Sequence, residues 1–121
     1  MPRRTLKESF CNAGSGLWFC LKTQRNMRIH LAAAFLVFVL AWMLRLGRVE
    51  LAILLLAVSL VFTAEIFNTA VEKTIDLVVN DYHPLARIAK DIAAGAVLVA
   101  ALNAVVVGVL VFLPHLVPFF S

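Results

Sequence analysis

Residues 51–76 read Leu-Ala-Ile-Leu-Leu-Leu-Ala-Val-Ser-Leu-Val-Phe-Thr-Ala and then Glu-Ile-Phe-Asn-Thr-Ala-Val-Glu-Lys-Thr-Ile-Asp. From Leu51 to Ala64 no side chain is charged and neither Gly nor Pro interrupts the run. An apolar helix of about 20 residues crosses a hydrocarbon core ~30 Å thick, so this stretch reads as a membrane span beginning near Val49. Helical character runs on past Glu65 to about Val79. A helix of roughly 30 residues is ~45 Å long, so it would start at one face of a bilayer and project beyond the other.

The polar residues of the second half are not scattered. On a helix wheel Glu65, Thr69, Glu72 and Asp76 fall within roughly 40° of one another, with Asn68 about 60° to one side. Ile66, Val71, Ile75, Leu77 and Val78 keep the other directions apolar. Glu65 and Glu72 are two turns and ~10.5 Å apart, too far to share a proton but suited to different tasks on one extended ligand. A carboxylate held at the bilayer centre costs on the order of 2.5–3.5 kcal/mol, so such residues mark function or a position near the interface. The plainer reading, a solvated exit from the span, would spread charge around the helix.

The rest of the chain agrees with a membrane protein. It has 121 residues, 63% hydrophobic and 15% charged, and a mean hydropathy of +0.96. A soluble domain carries roughly 45–50% apolar residues. Five Gly, four Pro and two Cys exclude collagen-like, disordered and disulfide-framework classes. Cys11 and Cys20, nine residues apart, fall on opposite sides of a helix and read as reduced thiols. One domain, residues 1–121, fits this length.

Leu6, Phe10, Ala13, Leu17 and Leu21 form one apolar stripe, which predicts an interfacial amphipathic helix over about 6–22. A secretory signal is not expected, because the basic start is followed by a mixed segment. The first span is expected over about 26–46, with Asn26 available as N-cap and Gly47 marking the turn. Asn80 to Pro84 reads as a loop. The third span is expected over about 88–113, ending before Pro114, with Ala96, Ala100, Ala104 and Gly108 as a small-residue ridge for close packing. The fold class is therefore all-α and integral to the membrane.

Eleven Lys and Arg against seven Asp and Glu give a net charge of +4. Six of the eleven precede the first long apolar run and three lie around residues 73–91, against Arg45 and Arg48 on the other side, which predicts a cytoplasmic N-terminus and an external C-terminus. No strand or aromatic-basic platform accompanies them, so no nucleic-acid partner is expected. Three thin helices enclose polar groups poorly, which points to an oligomer.

Other chemistry is sparse. There is no phosphate loop, and Gly14-Ser15-Gly16 is followed by Phe19 where a dinucleotide loop needs Gly. His30, His83 and His115 lie on different elements and read as interface or loop histidines. Lys90, beside Asp91 at the start of the third span, could pair a phosphate or anchor the helix. A small ion channel or assembly subunit, its path lined by the acidic stripe, is the non-enzyme alternative.

The pattern Glu65-x-x-Asn68-Thr69-Ala70-x-Glu72-x-x-x-Asp76, with Asp81-Tyr82-His83, Ala89-Lys90-Asp91 and Asn26-Met27-Arg28-Ile29-His30, resembles the prokaryotic diacylglycerol kinase and undecaprenol kinase family of small membrane lipid kinases. The resemblance covers residues 6–113. It implies a homotrimer in a bacterial plasma membrane, with the active site on the cytoplasmic side, that phosphorylates a lipid alcohol with ATP and Mg²⁺. By that resemblance Glu65 is the catalytic base and Glu72 a metal ligand, supported by Asn68 and Asp76. Asn12, Asp81, Tyr82, His83, Lys90 and Asp91 are nucleotide contacts, and Asn26, Glu65 and Ala94 meet the lipid. The 26–30 stretch, the Gly16-Leu17 region and the Ala93–Ala96 run are closer to the undecaprenol branch, with diacylglycerol as the alternative substrate. In one departure, Gln24 stands where the family usually has a metal-binding Glu. Gln offers a carbonyl oxygen without charge.

Such a site has a physical rationale. A lipid hydroxyl must meet a water-borne triphosphate where the membrane ends, and the acidic stripe begins there. The hydroxyl needs a base within reach and cations to offset phosphate charge.

Overall fold

The computed structural model describes residues 3–120, and among these there are four helices and no strand. Helix α1 spans Leu6–Thr23, α2 Arg25–Met43, α3 Arg48–Val78 and α4 Pro84–Leu116, with a 3₁₀ turn at Val117–Phe119.

Thr5 and Glu8 start α1 with a capping box. The Glu8 amide donates to Thr5 Oγ1 at 3.1 Å and the Thr5 amide to Glu8 Oε2 at 3.3 Å, satisfying two otherwise free donors. A single residue, Gln24, ends α1 and opens α2. Arg28 fixes that corner, because its Nη1 donates to the carbonyls of Leu21 (3.2 Å) and Lys22 (2.8 Å) at the C-terminal end of α1.

The α2–α3 connection is a Schellman turn. Leu46 N–H donates to Ala41 O at 3.1 Å and Arg45 N–H to Trp42 O at 3.2 Å. Arg45 takes the left-handed position, φ 56°, that usually holds Gly, and Leu46 folds back into the core. Gly47 then caps α3.

Helices α3 and α4 form the closest pair, with α2 lying more loosely against them. Ala41, Leu46, Leu54, Val111 and Phe112 make an apolar core at the α2–α3 turn. Along α3 the buried residues are Leu54, Ala57, Val61 and Glu65, then Asn68 and Thr69 three and four residues further on. The polar stripe therefore continues the apolar packing face of the same helix.

Three helices are long and apolar enough to cross a membrane: α2, α3 and α4 with its 3₁₀ extension. At 31 residues α3 is ~46 Å long, so its last ten or so residues exceed a ~30 Å hydrocarbon layer.

Four expectations need correction. The cap of α2 is Gln24, without a side-chain bond, and Asn26 lies inside the helix because α2 begins directly after the corner. Helix α2 stops at Met43, not near Leu46, because Arg45 reverses the chain. Helix α4 begins at Pro84, four residues before the expected start. Proline suits the first helical position, where an amide hydrogen would go unused, and His83 caps it with Nδ1 accepting from Leu85 N–H at 3.1 Å. Helix α4 also continues through Pro114 to Leu116. So near the helix end proline costs a single bond to the Leu110 carbonyl, which the chain tolerates.

Candidate active site

Glu65 is 2% exposed although it carries a carboxylate. It sits where the apolar face of α3 meets the polar stripe, and its Oε2 is enclosed without a hydrogen-bond partner. On α2, His30 Nε2 approaches that oxygen to 3.6 Å. Thr69 Oγ1 donates to the Glu65 backbone carbonyl at 2.9 Å, turning its hydroxyl away from the carboxylate. Asn68 Nδ2 donates to Glu72 Oε1 at 3.3 Å, leaving the buried Asn68 Oδ1 without a donor.

The stripe emerges gradually. Glu65, Asn68 and Thr69 are buried, Glu72 is half-buried, and Asp76 is exposed. At the protruding end of α3, Lys90 Nζ donates to Asp76 Oδ1 at 2.7 Å across the α3–α4 loop. That bond is the main reason the Asp76 carboxyl lies below its ordinary range, with Lys73 adding a smaller contribution and partial desolvation opposing it.

Two cavities flank these residues. One, of about 220 Å³, is polar and lined by Asp76, Asp81, Tyr82, His83, Arg87 and Lys90 among others. The other, of about 480 Å³, is an apolar groove between α2, α3 and α4 with His30 among its lining residues.

The residues expected to meet a nucleotide thus fall into two groups. Asp81, Tyr82, His83 and Lys90 share the polar cleft, with Asp76 beside them. Asp91 lies outside its lining and pairs with Arg87 at 3.7 Å. Asn12 is exposed on α1 and makes no side-chain hydrogen bond among the described residues. Asn26 and Ala94, expected at the lipid, are exposed and line neither cavity. Gln24 Nε2 donates to Thr23 Oγ1 at 3.2 Å and makes no hydrogen bond to Glu72.

A divalent cation of the Mg²⁺ type prefers hard oxygen ligands and takes one or two carboxylates together with phosphates. No group of three or more His, Cys, Asp or Glu is assembled among the described residues. The half-buried Glu72 carboxylate is a hard oxygen donor that fits such an ion, and Asn68, whose amide N–H it accepts, would offer its orphaned Oδ1 beside it if the amide turned over. Together they would leave most of its shell to water and phosphate.

Two site residues were not anticipated. Arg87 joins the cleft from the first turn of α4, while its i, i+4 pairing is with Asp91 outside the lining. His30 reaches Glu65 from another helix, 35 residues away, and no local pattern signals that contact.

The prokaryotic diacylglycerol kinase family profile matches residues 11–112. Over 109 residues the chain is 43% identical to undecaprenol kinase of Bacillus subtilis (strain 168), covering 90% of this chain and 89% of that one. It is 47% identical over 109 residues to a diacylglycerol kinase of Synechocystis sp., covering 89% of this chain and 62% of the other. With the diacylglycerol kinase of Escherichia coli (strain K12) it shares 34% over 83 residues, 69% and 68% of the two chains. Matches of this extent, on a chain whose long apolar helices end in a buried carboxylate and a polar cleft, establish that it belongs to the prokaryotic diacylglycerol kinase family of membrane lipid kinases.

Proposed function

We propose that this chain transfers the γ-phosphoryl group of ATP to undecaprenol, making undecaprenyl phosphate at the cytoplasmic face of a bacterial plasma membrane. The observation that carries the reading is the position of Glu65. It is a buried carboxylate at the boundary between the apolar face of α3 and its polar end, beside an apolar groove on one side and a basic and acidic cleft further along. The likeness to undecaprenol kinase over 90% of the chain supports the choice of lipid.

In this reading Glu65 accepts the proton of the lipid hydroxyl as its oxygen bonds to the γ-phosphorus. The bond from that phosphorus to the β-bridging oxygen breaks, and ADP leaves with the electron pair. Lys90, Asp81, Tyr82 and His83 hold the nucleotide, with Asp76 orienting Lys90. Asn12 and Asp91 contribute to the same nucleotide, and Asn26 and Ala94 to the lipid. Glu72 and Asn68 would hold Mg²⁺, with Gln24 offering a neutral oxygen, and the ion would offset charge on the phosphates. Assembly into a homotrimer would cover the apolar helix faces that one chain leaves open, and the basic end of the bundle sets the orientation.

A second reading, diacylglycerol as acceptor, is favoured by the 47% identity to the Synechocystis enzyme. Purified protein in detergent, given ATP and Mg²⁺ with undecaprenol and diacylglycerol in competition, separates the two. Preferential formation of undecaprenyl phosphate is expected. A clear preference for diacylglycerol reverses the order, and no lipid phosphorylation at all removes both.

A further inference from the structure

We propose that His30 is the positioning residue for Glu65, donating from Nε2 to Oε2 and so aiming the other carboxylate oxygen at the lipid hydroxyl. This rests on the reading of Glu65 as the proton acceptor.

Glu65 Oε2 is shut away from solvent without a hydrogen bond, an arrangement that a carboxylate tolerates poorly. The polar side chains nearest along α3 are committed elsewhere. Thr69 Oγ1 is bound to a backbone carbonyl and Asn68 Nδ2 to Glu72. Three basic side chains around the corner and cleft are occupied as well. Arg28 is bound to the end of α1, Lys90 to Asp76 and Arg87 to Asp91. His30 is the group that faces the orphaned oxygen, 3.6 Å away.

That separation is a few tenths of an ångström beyond a hydrogen bond. Catalytic hydrogen bonds are often long in the ligand-free state and tighten when substrate is bound. Histidine suits the task because one ring N–H can donate while the ring as a whole stays neutral. The ring also belongs to α2, which packs more loosely than α3 and α4 do on each other. It lines the apolar groove, so a hydrocarbon chain seated there would contact the same face of α2 that carries His30. A donor locked onto Oε2 fixes the plane of the carboxylate and leaves its second oxygen free for the hydroxyl proton. The chemistry is unchanged by His30, since the proton still passes from the lipid oxygen to Glu65 as the new phosphorus–oxygen bond forms. Only the aim of the acceptor depends on it.

The test uses the full chain purified in detergent with undecaprenol, ATP and Mg²⁺. His30→Leu and His30→Asn, the first without a donor and the second too short to reach, should each lower kcat by about 10²-fold, the scale of an ångström-sized misplacement. KM for ATP should be unchanged. His30→Gln, whose amide can donate from a similar distance, should recover kcat to within about fivefold of wild type. In a Glu65→Gln background, His30→Leu should cause no further loss, since residues acting as one unit are not additive. Melting temperatures identify any variant that has lost its fold, and if Leu fails that check the Asn and Gln pair carries the comparison. Full activity in His30→Asn, or a His30→Gln as slow as His30→Asn, overturns the proposal. An active Glu65→Gln would instead overturn the reading of Glu65 itself, so the two failures are distinct.

Discussion

Lys90 Nζ lies 2.7 Å from Asp76 Oδ1, so the cation at the start of α4 is already bound to a carboxylate at the end of α3. The pair closes the loop between the two helices and holds Lys90 at the wall of the polar cleft. A triphosphate entering that cleft would meet an ammonium group whose position is fixed in advance.

Replacing Lys90 with Met should raise KM for ATP about tenfold or more, the scale of one charge-assisted hydrogen bond. Steady-state kinetics with varied ATP check this, and an unchanged KM would make Lys90 an anchor only. The tie should also respond to acid in one direction. Because Lys90 holds the Asp76 carboxyl below its ordinary range, the folded state is favoured by this pair above that range. The contribution is lost as pH falls through the lowered value, below the ordinary carboxylate range. An NMR titration following Lys90 should show it released only there.

Gln24→Glu should lower the Mg²⁺ concentration needed for half-maximal rate and raise the rate at limiting Mg²⁺. Charge count strongly influences divalent affinity at oxygen sites. The substitution forfeits the bond from Gln24 Nε2 to Thr23 Oγ1, an exposed contact whose loss should matter little. A magnesium titration of both forms decides it, and coincident curves would exclude residue 24 from the metal shell.

Ala100 is 3% exposed within a single chain, so Ala100→Leu overpacks the chain's own bundle. A loss of about 1–3 kcal/mol in stability is expected from inserting that volume. Oligomer assembly should then depend more on exposed α4 residues such as Val99, Leu102 and Val106, whose replacement by Ser should weaken a trimer in native mass spectra. A fully active monomer in the same measurement would refute the oligomer.

At the opposite end of the bundle His115 Nε2 lies 2.7 Å from Glu50 Oε2, joining the end of α4 to the first turn of α3. Glu50→Leu should destabilise the chain by about 1 kcal/mol, consistent with one partly exposed hydrogen bond. Thermal melts in detergent report it, and kcat should not change because the pair is far along the helices from Glu65.

Much of the architecture was legible because it is written in local periodicity. The apolar run of α3, its polar stripe and the small-residue face of α4 each depend on neighbours three or four residues away. The helix ends were less legible. Arg45 occupies a left-handed position that sequence reasoning reserves for Gly, and Pro114 lies inside a helix that pattern would end before it. The polar stripe is a single face whose upper part, Glu65, Asn68 and Thr69, faces the helix pack, while Glu72 is half-buried and Asp76 exposed. His30 reads from sequence as an interface histidine because its meeting with Glu65 depends on how α2 packs, which no spacing within α2 encodes.

The unequal helix lengths carry a consequence for the membrane itself. At 19 residues α2 is ~28 Å long, slightly short of a typical hydrocarbon core, whereas α3 and α4 exceed it and can adapt by tilting. Hydrophobic mismatch in a thick bilayer therefore strains α2 first, between the Arg28 clip at one end and the Arg45 reversal at the other. Any slide of α2 along α3 changes the separation of His30 from Glu65. If Glu65 and His30 act as proposed, turnover should depend on bilayer thickness, and vesicles of graded acyl-chain length should give a rate maximum where the hydrocarbon layer matches α2.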